Sequence, residues 1–437
     1  MNALCLYSNQ NALSSRAQSK TTFGMFVFKT ILVFMILFKN TPIYNYTFIT
    51  SERIADVILL IYILLSYVKG SCFGRRRFQV KIFNKYLIFQ LLLLIYSTIL
   101  IAKFGSGDGL AINEDILNFV VFVPISVFGL SMLIRDTDEL MKIILFICVL
   151  QSFVVLLGII SPQMANIIDN LPFNNNGGVY WTYSKYRELG YNGGIACIAA
   201  KGAIKLSFGM LACYYFICQK RNLFKYLIAF LFITVAATAV GRTGLVIALF
   251  VLVAILAKLL KNKNGQLHFL IIVLLITLSV SAIYILIQTN SLPSFSSRLN
   301  NLLLNGIYDS FLKHYFYSDT TVIPKISYET IIGTGITSGM SGNGVYINAD
   351  GGFFRMYVAL GLPMAIVFYF ITFNLFGKMI KISKNTPLFW TFVLFFVIYL
   401  VSEFKEYDFY SRYLFVIFTT FCFLLNKNKD YGAATYV

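Results

Sequence analysis

The chain has 437 residues, of which 58% are hydrophobic and 12% charged, and it carries a net charge of +18. That is too apolar for a water-soluble globule, and no polar stretch is long enough to host a separate soluble domain. The positive excess does not point to nucleic acid, because Lys and Arg in such a chain mark the loops on the cytoplasmic side of a membrane.

Crossing about 30 Å of hydrocarbon takes roughly 20 apolar residues per helix. On that measure about twelve spans follow one another, near residues 23–40, 54–68, 86–102, 115–134, 140–161, 191–218, 223–240, 243–260, 267–289, 350–377, 387–403 and 409–425. They make residues 1–437 a single all-α polytopic membrane domain. The first span is preceded by a polar stretch from Ser8 to Thr22 and followed by no small-residue cleavage site, so it reads as retained. With both termini in the cytoplasm, the Arg75, Arg76 and Arg77 run, Lys220, Arg221, Lys258, Lys261, Lys378, Lys381 and Lys427 all fall on that side. The opposite loops are poorer in base and contain no cysteine, so no disulfide framework is expected there.

Two external loops, 162–190 and 290–349, break the rhythm of short connections, and long loops tend to carry function. The stretch "NNNGGVYWTYSKYRELGYNGG" (174–194) mixes Asn, Gly and aromatic residues with Lys185 and Arg187. That composition suits sugar faces and hydroxyls beside an anion, and equally a membrane interface. In "SRLNNLLLNGIYDSFLKHYFY" (297–317), Leu299, Leu303, Ile307 and Phe311 recur every four residues, which describes an amphipathic helix lying on the bilayer. Arg298 leads it, at the depth of lipid phosphates, where it either grips a phosphate or anchors the helix to headgroups.

Between the seventh and eighth spans, "ATAVGRTGLV" (237–246) leaves almost no loop, and its turn holds Arg242. Charge at so tight a hairpin in a membrane protein is costly and usually functional. The run "PKISYETIIGTGITSGMSGNGVYINAD" (324–350) is rich in glycine but lacks the lysine of a phosphate-binding loop, so it predicts a flexible or tightly turned segment ahead of Asp350. Asp350 fits the N-cap of the tenth span, and it also fits a general base at the membrane surface; the two roles are compatible. Arg355, on the same first turns, serves a substrate or pairs with Asp350. "RDTDEL" (135–140) reads as a capping box rather than a metal-binding Asp-x-Asp. The charges of "SEFKEYDFYSR" (402–412) read as solvated pairs at an external turn, with contact to a substrate as the alternative. Charges counted inside spans are Lys29, Lys201 and Lys205. Only His268 and His314 are present, on opposite faces, which leaves a Ser/His/Asp arrangement without support.

Taken together, "TAVGRTGL" (238–245), the Arg-led "SRLNNLL" (297–303), "IIGTGI" (331–336) and "DGGFFRMYVALGLP" (350–363) resemble the Wzy-type O-antigen polymerases and the related O-antigen ligases. The likeness lies in the second half of the chain and in the two large loops. It implies a GT-C-like fold in the bacterial inner membrane, with the active site facing the periplasm. It also implies a glycan polymerase that joins undecaprenyl-pyrophosphate-linked repeat units without metal or other cofactor. Membrane lipids, a chain-length regulator and a flippase are the implied partners, and nucleic acid is not one. Carried onto this chain, Asp350 is the base, standing where the ligase pattern usually has His, while Arg242, Arg298 and Arg187 neutralise the pyrophosphate, with Lys185 and Arg355 as further substrate contacts. The chain departs from a regularly spaced Arg-to-Gly pattern of some polymerases, since positions 198 and 309 are Ile and Asp. Ligation to a lipid A core and transport of the lipid-linked unit are the rival readings. A transporter would show a polar cavity lined by Lys201 and Lys205.

Overall fold

The computed structural model describes residues 23–38, 50–68, 77–105, 107–160, 163–164, 167, 200–219, 221–241, 243–260, 326–342, 344, 346–347, 351–384, 386, 388–405, 407, 409–410 and 412–433. The helices, in chain order, are α1 (Phe23–Leu37), α2 (Ser51–Val68), α3 (Arg77–Phe104), α4 (Ile112–Leu133), α5 (Thr137–Ile160), α6 (Ala200–Cys218), α7 (Leu223–Val240) and α8 (Thr243–Leu260). They continue with α9 (Tyr328–Ile332), α10 (Gly352–Leu360), α11 (Leu362–Ile382), α12 (Phe389–Lys405) and α13 (Arg412–Ala433). Three short strands, β1 (Leu110–Ala111), β2 (Ile336–Met340) and β3 (Tyr346–Ile347), join antiparallel in the order β1-β2-β3.

Six of these helices are long and apolar enough to cross a bilayer: those containing Phe83–Phe104, Ile112–Leu133, Thr137–Gly158, Leu223–Val240, Thr243–Leu260 and Leu362–Ile382. The chain is therefore a helical multi-pass membrane protein, as expected, with a small sheet added. The expected ninth span, the loop 162–190 with the exception of three residues, and the surface helix 297–317 lie outside the described residues.

Helix α6 is the centre of one half of the bundle, packed on α5, α7, α8 and α12, and almost every side chain from Gly202 to Phe216 is buried. Helix α4 organises the other half with α2, α3 and α13. Aromatic rings fill the space between α4 and α13: Phe119 lies against Phe415 at 4.9 Å and Phe128 against Phe423 at 5.4 Å, both edge to face.

The bundle has two unlike ends. The sheet, the start of α4 and the start of α10 share one end, the sheet face. At the opposite face, "RDTDEL" is a helix start, as the capping reading predicts. Asp136 accepts the Glu139 N–H at 2.8 Å, and Glu139 in turn accepts the Arg135 N–H at 2.7 Å. Glu139 also takes the buried ammonium of Lys29 at 2.8 Å, and Asp138 pairs with Arg221 and Gln219. One charge inside a predicted span, Lys29, is thus neutralised by the start of α5.

The structure refines three local expectations. The apolar run from residue 350 is not one span: it breaks at Gly361 into the nine-residue α10 and the spanning α11. Of the two forms expected for the glycine-rich run before it, the tightly turned one is found, and it also holds α9, β2 and β3. Two of the charges of 402–412 are not solvated, since Glu403 is 0% exposed and Arg412 8%, while Glu406 and Asp408 lie outside the described residues.

Candidate functional site at the sheet face

The sheet face is built by backbone crossings that only glycine permits. Residues 333–336 thread between the start of α4 and the end of α10: Gly335 accepts the Ile112 N–H at 2.9 Å, while the Thr334 and Gly335 N–H groups reach the Val358 and Ala359 carbonyls, each at 2.9 Å. Gly333 (φ +103°) and Gly361 (φ +79°) face each other at this crossing. A Cβ on Gly333 would lie 2.5 Å from the Leu360 carbonyl carbon, and one on Gly361 would lie 2.3 Å from the Ile331 oxygen. The Tyr96 hydroxyl of α3 donates to both the Ile332 and Leu360 carbonyls and ties the crossing to a spanning helix. "IIGTGI" and "VALGLP", distant in sequence, are therefore one packed unit.

Residues 336–340 continue from the crossing as β2, with Leu110 opposite Ser338 and Gly339 opposite Ile347. The Thr337 hydroxyl donates to the Leu110 carbonyl at 3.1 Å. The backbone then reaches Gly351, the N-cap of α10, which offers no side-chain cap. This corrects the expectation for Asp350: the cap position of this helix is Gly351, one residue later.

Beneath the start of α10 lies a group of buried and half-buried acids and tyrosines from α4, α11, α12 and the connection to α13. The Glu403 carboxylate accepts the Tyr369 hydroxyl at 2.7 Å and presses on Gly352, where a Cβ would lie 2.2 Å from Oε1. Phe353 lies against the Tyr369 ring at 4.7 Å, tilted by 43°. The Tyr407 hydroxyl donates to Asp115 at 3.2 Å. Burial, reinforced by the Asp115 charge, pushes the Tyr407 hydroxyl well above its ordinary range, so it stays a neutral donor. Tyr410 donates to Gln90 at 3.0 Å, Gln90 to Tyr86 at 2.9 Å, and Tyr86 meets Thr372 at 3.3 Å, which extends the polar group inward.

Of the residues singled out in the sequence, Arg355 is described: it is half-buried on α10, its N–H on the Gly351 carbonyl at 3.1 Å. Asp350, Arg242, Arg298, Arg187 and Lys185 lie outside the described residues. The hairpin that holds Arg242 is as tight as predicted, with α7 ending at Val240 and α8 starting at Thr243.

A second polar group lies deeper, about 21 Å along α4 from Ile112 to Ser126 at roughly 1.5 Å per residue. The Arg412 guanidinium lies 2.5 Å from Asp56, 3.8 Å from Glu52 and 3.3 Å from the Ser126 hydroxyl. Lys205, 2% exposed, lies 4.9 Å from the Tyr413 ring and 5.9 Å from that of Phe38. Sequence reasoning counted the lysines in the spans but missed Asp56 and Asp115, and it read Glu403 as solvated. The signal was present as acids inside apolar runs, at positions 52 and 56 on one helical face and at 403 near a span end.

Comparison with protein-family models, with curated proteins and with solved structures finds no match to this chain.

Proposed function

We propose that this protein is an O-antigen polymerase: it joins oligosaccharide repeat units carried on undecaprenyl pyrophosphate, working at the periplasmic face of the inner membrane. The observation that carries the reading is the packing of "IIGTGI" against "VALGLP". Two of the motifs that resemble the polymerases form one rigid unit at the sheet face, and that unit leads into the Gly351 turn that Asp350 precedes. The basic turns at the opposite face, with Arg135, Arg221 and Lys381, support assigning that face to the cytoplasm.

In this reading a free hydroxyl of one lipid-linked repeat attacks the reducing-end anomeric carbon of the growing chain. The new C–O bond forms as the bond to the pyrophosphate breaks. Asp350 takes the hydroxyl proton, and undecaprenyl pyrophosphate leaves with its charge held by Arg242, Arg298 and Arg187. Lys185 and Arg355 orient the sugars.

The mid-depth charges favour transport as the second reading, because transporters place ionisable residues deep in the bundle. Against it, Arg412 is clasped by two acids and Lys205 lies against two rings, so both cations are already engaged by the protein itself.

The test is reconstitution: purified protein with lipid-linked repeat units from the same cells, without added nucleotide, followed on a gel that resolves chain length. Wild type is expected to produce a ladder, and Asp350→Asn to slow it by about 100-fold, within the range of a lost general base. Transfer to added lipid A core in place of a ladder would mean a ligase. Movement of the lipid-linked unit across a liposome bilayer, with no new glycosidic bond, would mean a transporter.

A further inference from the structure

We propose that Glu403 is a positioning residue of this site: its carboxylate, sealed between the Tyr369 hydroxyl and the first turn of α10, holds the helix start that carries Arg355 in its working orientation. The inference rests on the polymerase reading and deepens it. A helix leaves its first four N–H groups without intrahelical partners, and Gly351 supplies no side-chain cap for α10. The neighbouring helix α12 supplies a negative charge there instead, favourable against the positive end of the helix dipole. The approach is closer than any side chain at position 352 would allow, since a Cβ would meet Oε1 at 2.2 Å, and at position 351 a Cβ would meet the Phe404 carbonyl oxygen at 2.7 Å. The paired glycines of "DGGFFR" are thus required by the end of α12 pressing on this turn.

Glu403 is wholly buried, so it does not touch a substrate arriving from solvent; it acts through α10. Its hydrogen bond with Tyr369, and the Phe353 ring on that tyrosine, couple the turn to α11 as well. Glutamine at 403 keeps the shape and an acceptor for Tyr369 but removes the charge at the helix start. A structural role and a positioning role therefore separate.

The experiment measures initial rates of ladder formation against repeat-unit concentration, with a thermal melt of each purified variant. For Glu403→Gln we expect a melting temperature within a few degrees of wild type and KM within about twofold, with turnover at least about tenfold lower, as misplacement of a reacting group costs rate rather than binding. Gly352→Ala, which drives a methyl into the carboxylate, is expected to reproduce the loss of turnover, while Trp390→Ala, exposed on the same helix α12, leaves rates unchanged. A wild-type ladder matched by Glu403→Gln, or losses that only track the folded fraction, would overturn the positioning role alone. A wild type that makes no ladder from its own repeat units would overturn the polymerase reading and this inference with it.

Discussion

Arg412→Ala lowers the stability of the folded protein by about 3–5 kcal/mol, the cost of removing one partner from a buried ion pair. Arg412 is 8% exposed at the first turn of α13, and it bridges Asp56 at 2.5 Å and Glu52 at 3.8 Å while its guanidinium lies 5.0 Å from the Phe122 ring. One side chain thereby clamps α2, α4 and α13. Its loss leaves Asp56, 1% exposed, with the Ser126 hydroxyl. Taking an ionised carboxylate out of water without a cation is what makes the cost large. Arg412→Lys restores only part of it, because a compact ammonium cannot span two carboxylates as a guanidinium does. The measurement is thermal unfolding in a fixed detergent, with the cycle of Arg412→Ala, Asp56→Asn and the double variant. Coupling demands that Asp56→Asn costs less in the chain already carrying Arg412→Ala than in wild type. Strict additivity, or a single variant as stable as wild type, would mean that the cluster is not a clamp.

Gly361→Ala is the second large effect. The backbone there has φ +79° and ψ 157°, a region open essentially to glycine alone and costing any other residue about 1–3 kcal/mol. The added methyl also meets three backbone atoms, the Ile331 oxygen at 2.3 Å and the Ile332 carbonyl carbon and oxygen at 2.4 and 2.5 Å. Backbone cannot rotate aside as a flexible side chain can, so the crossing between residues 331–336 and the α10–α11 break has to open. The variant is expected to melt lower and to lose ladder formation together. Gly377→Ala is the control: it sits inside α11 with nothing within 4 Å of its new methyl, and helix propensity alone predicts a gain of up to about 1 kcal/mol. Equal melting of the two variants would remove the crossing from the account of the site.

The membrane class, several of the spans and the helix start at "RDTDEL" were legible in the sequence because each depends on local pattern. A run of apolar residues must leave water whatever its neighbours are, and an aspartate ahead of a helix finds its own N–H groups. The tight hairpin after α7 belongs with these: the Gly244 N–H closes on the Gly241 carbonyl at 2.9 Å, a contact between near neighbours in sequence. The expected function and the roles of Asp350 and the arginines rest on short motifs, which show which residues recur together but not what each of them touches.

What only the tertiary structure decided concerns pairs remote in sequence. Nothing near Gly333 says that it faces Gly361, so the glycine-rich run could be read as flexible or as tightly turned, and residues 350–377 looked like one helix. The charges of 402–412 looked solvated because a carboxylate's usual partner is water. In the fold, Glu403 meets Tyr369 and Gly352, and Arg412 meets Asp56 and Glu52. Burial makes those contacts strong, and burial is a property of the whole bundle: hydropathy is summed along one helix, whereas a charge enters the interior only when another helix brings its counterpart.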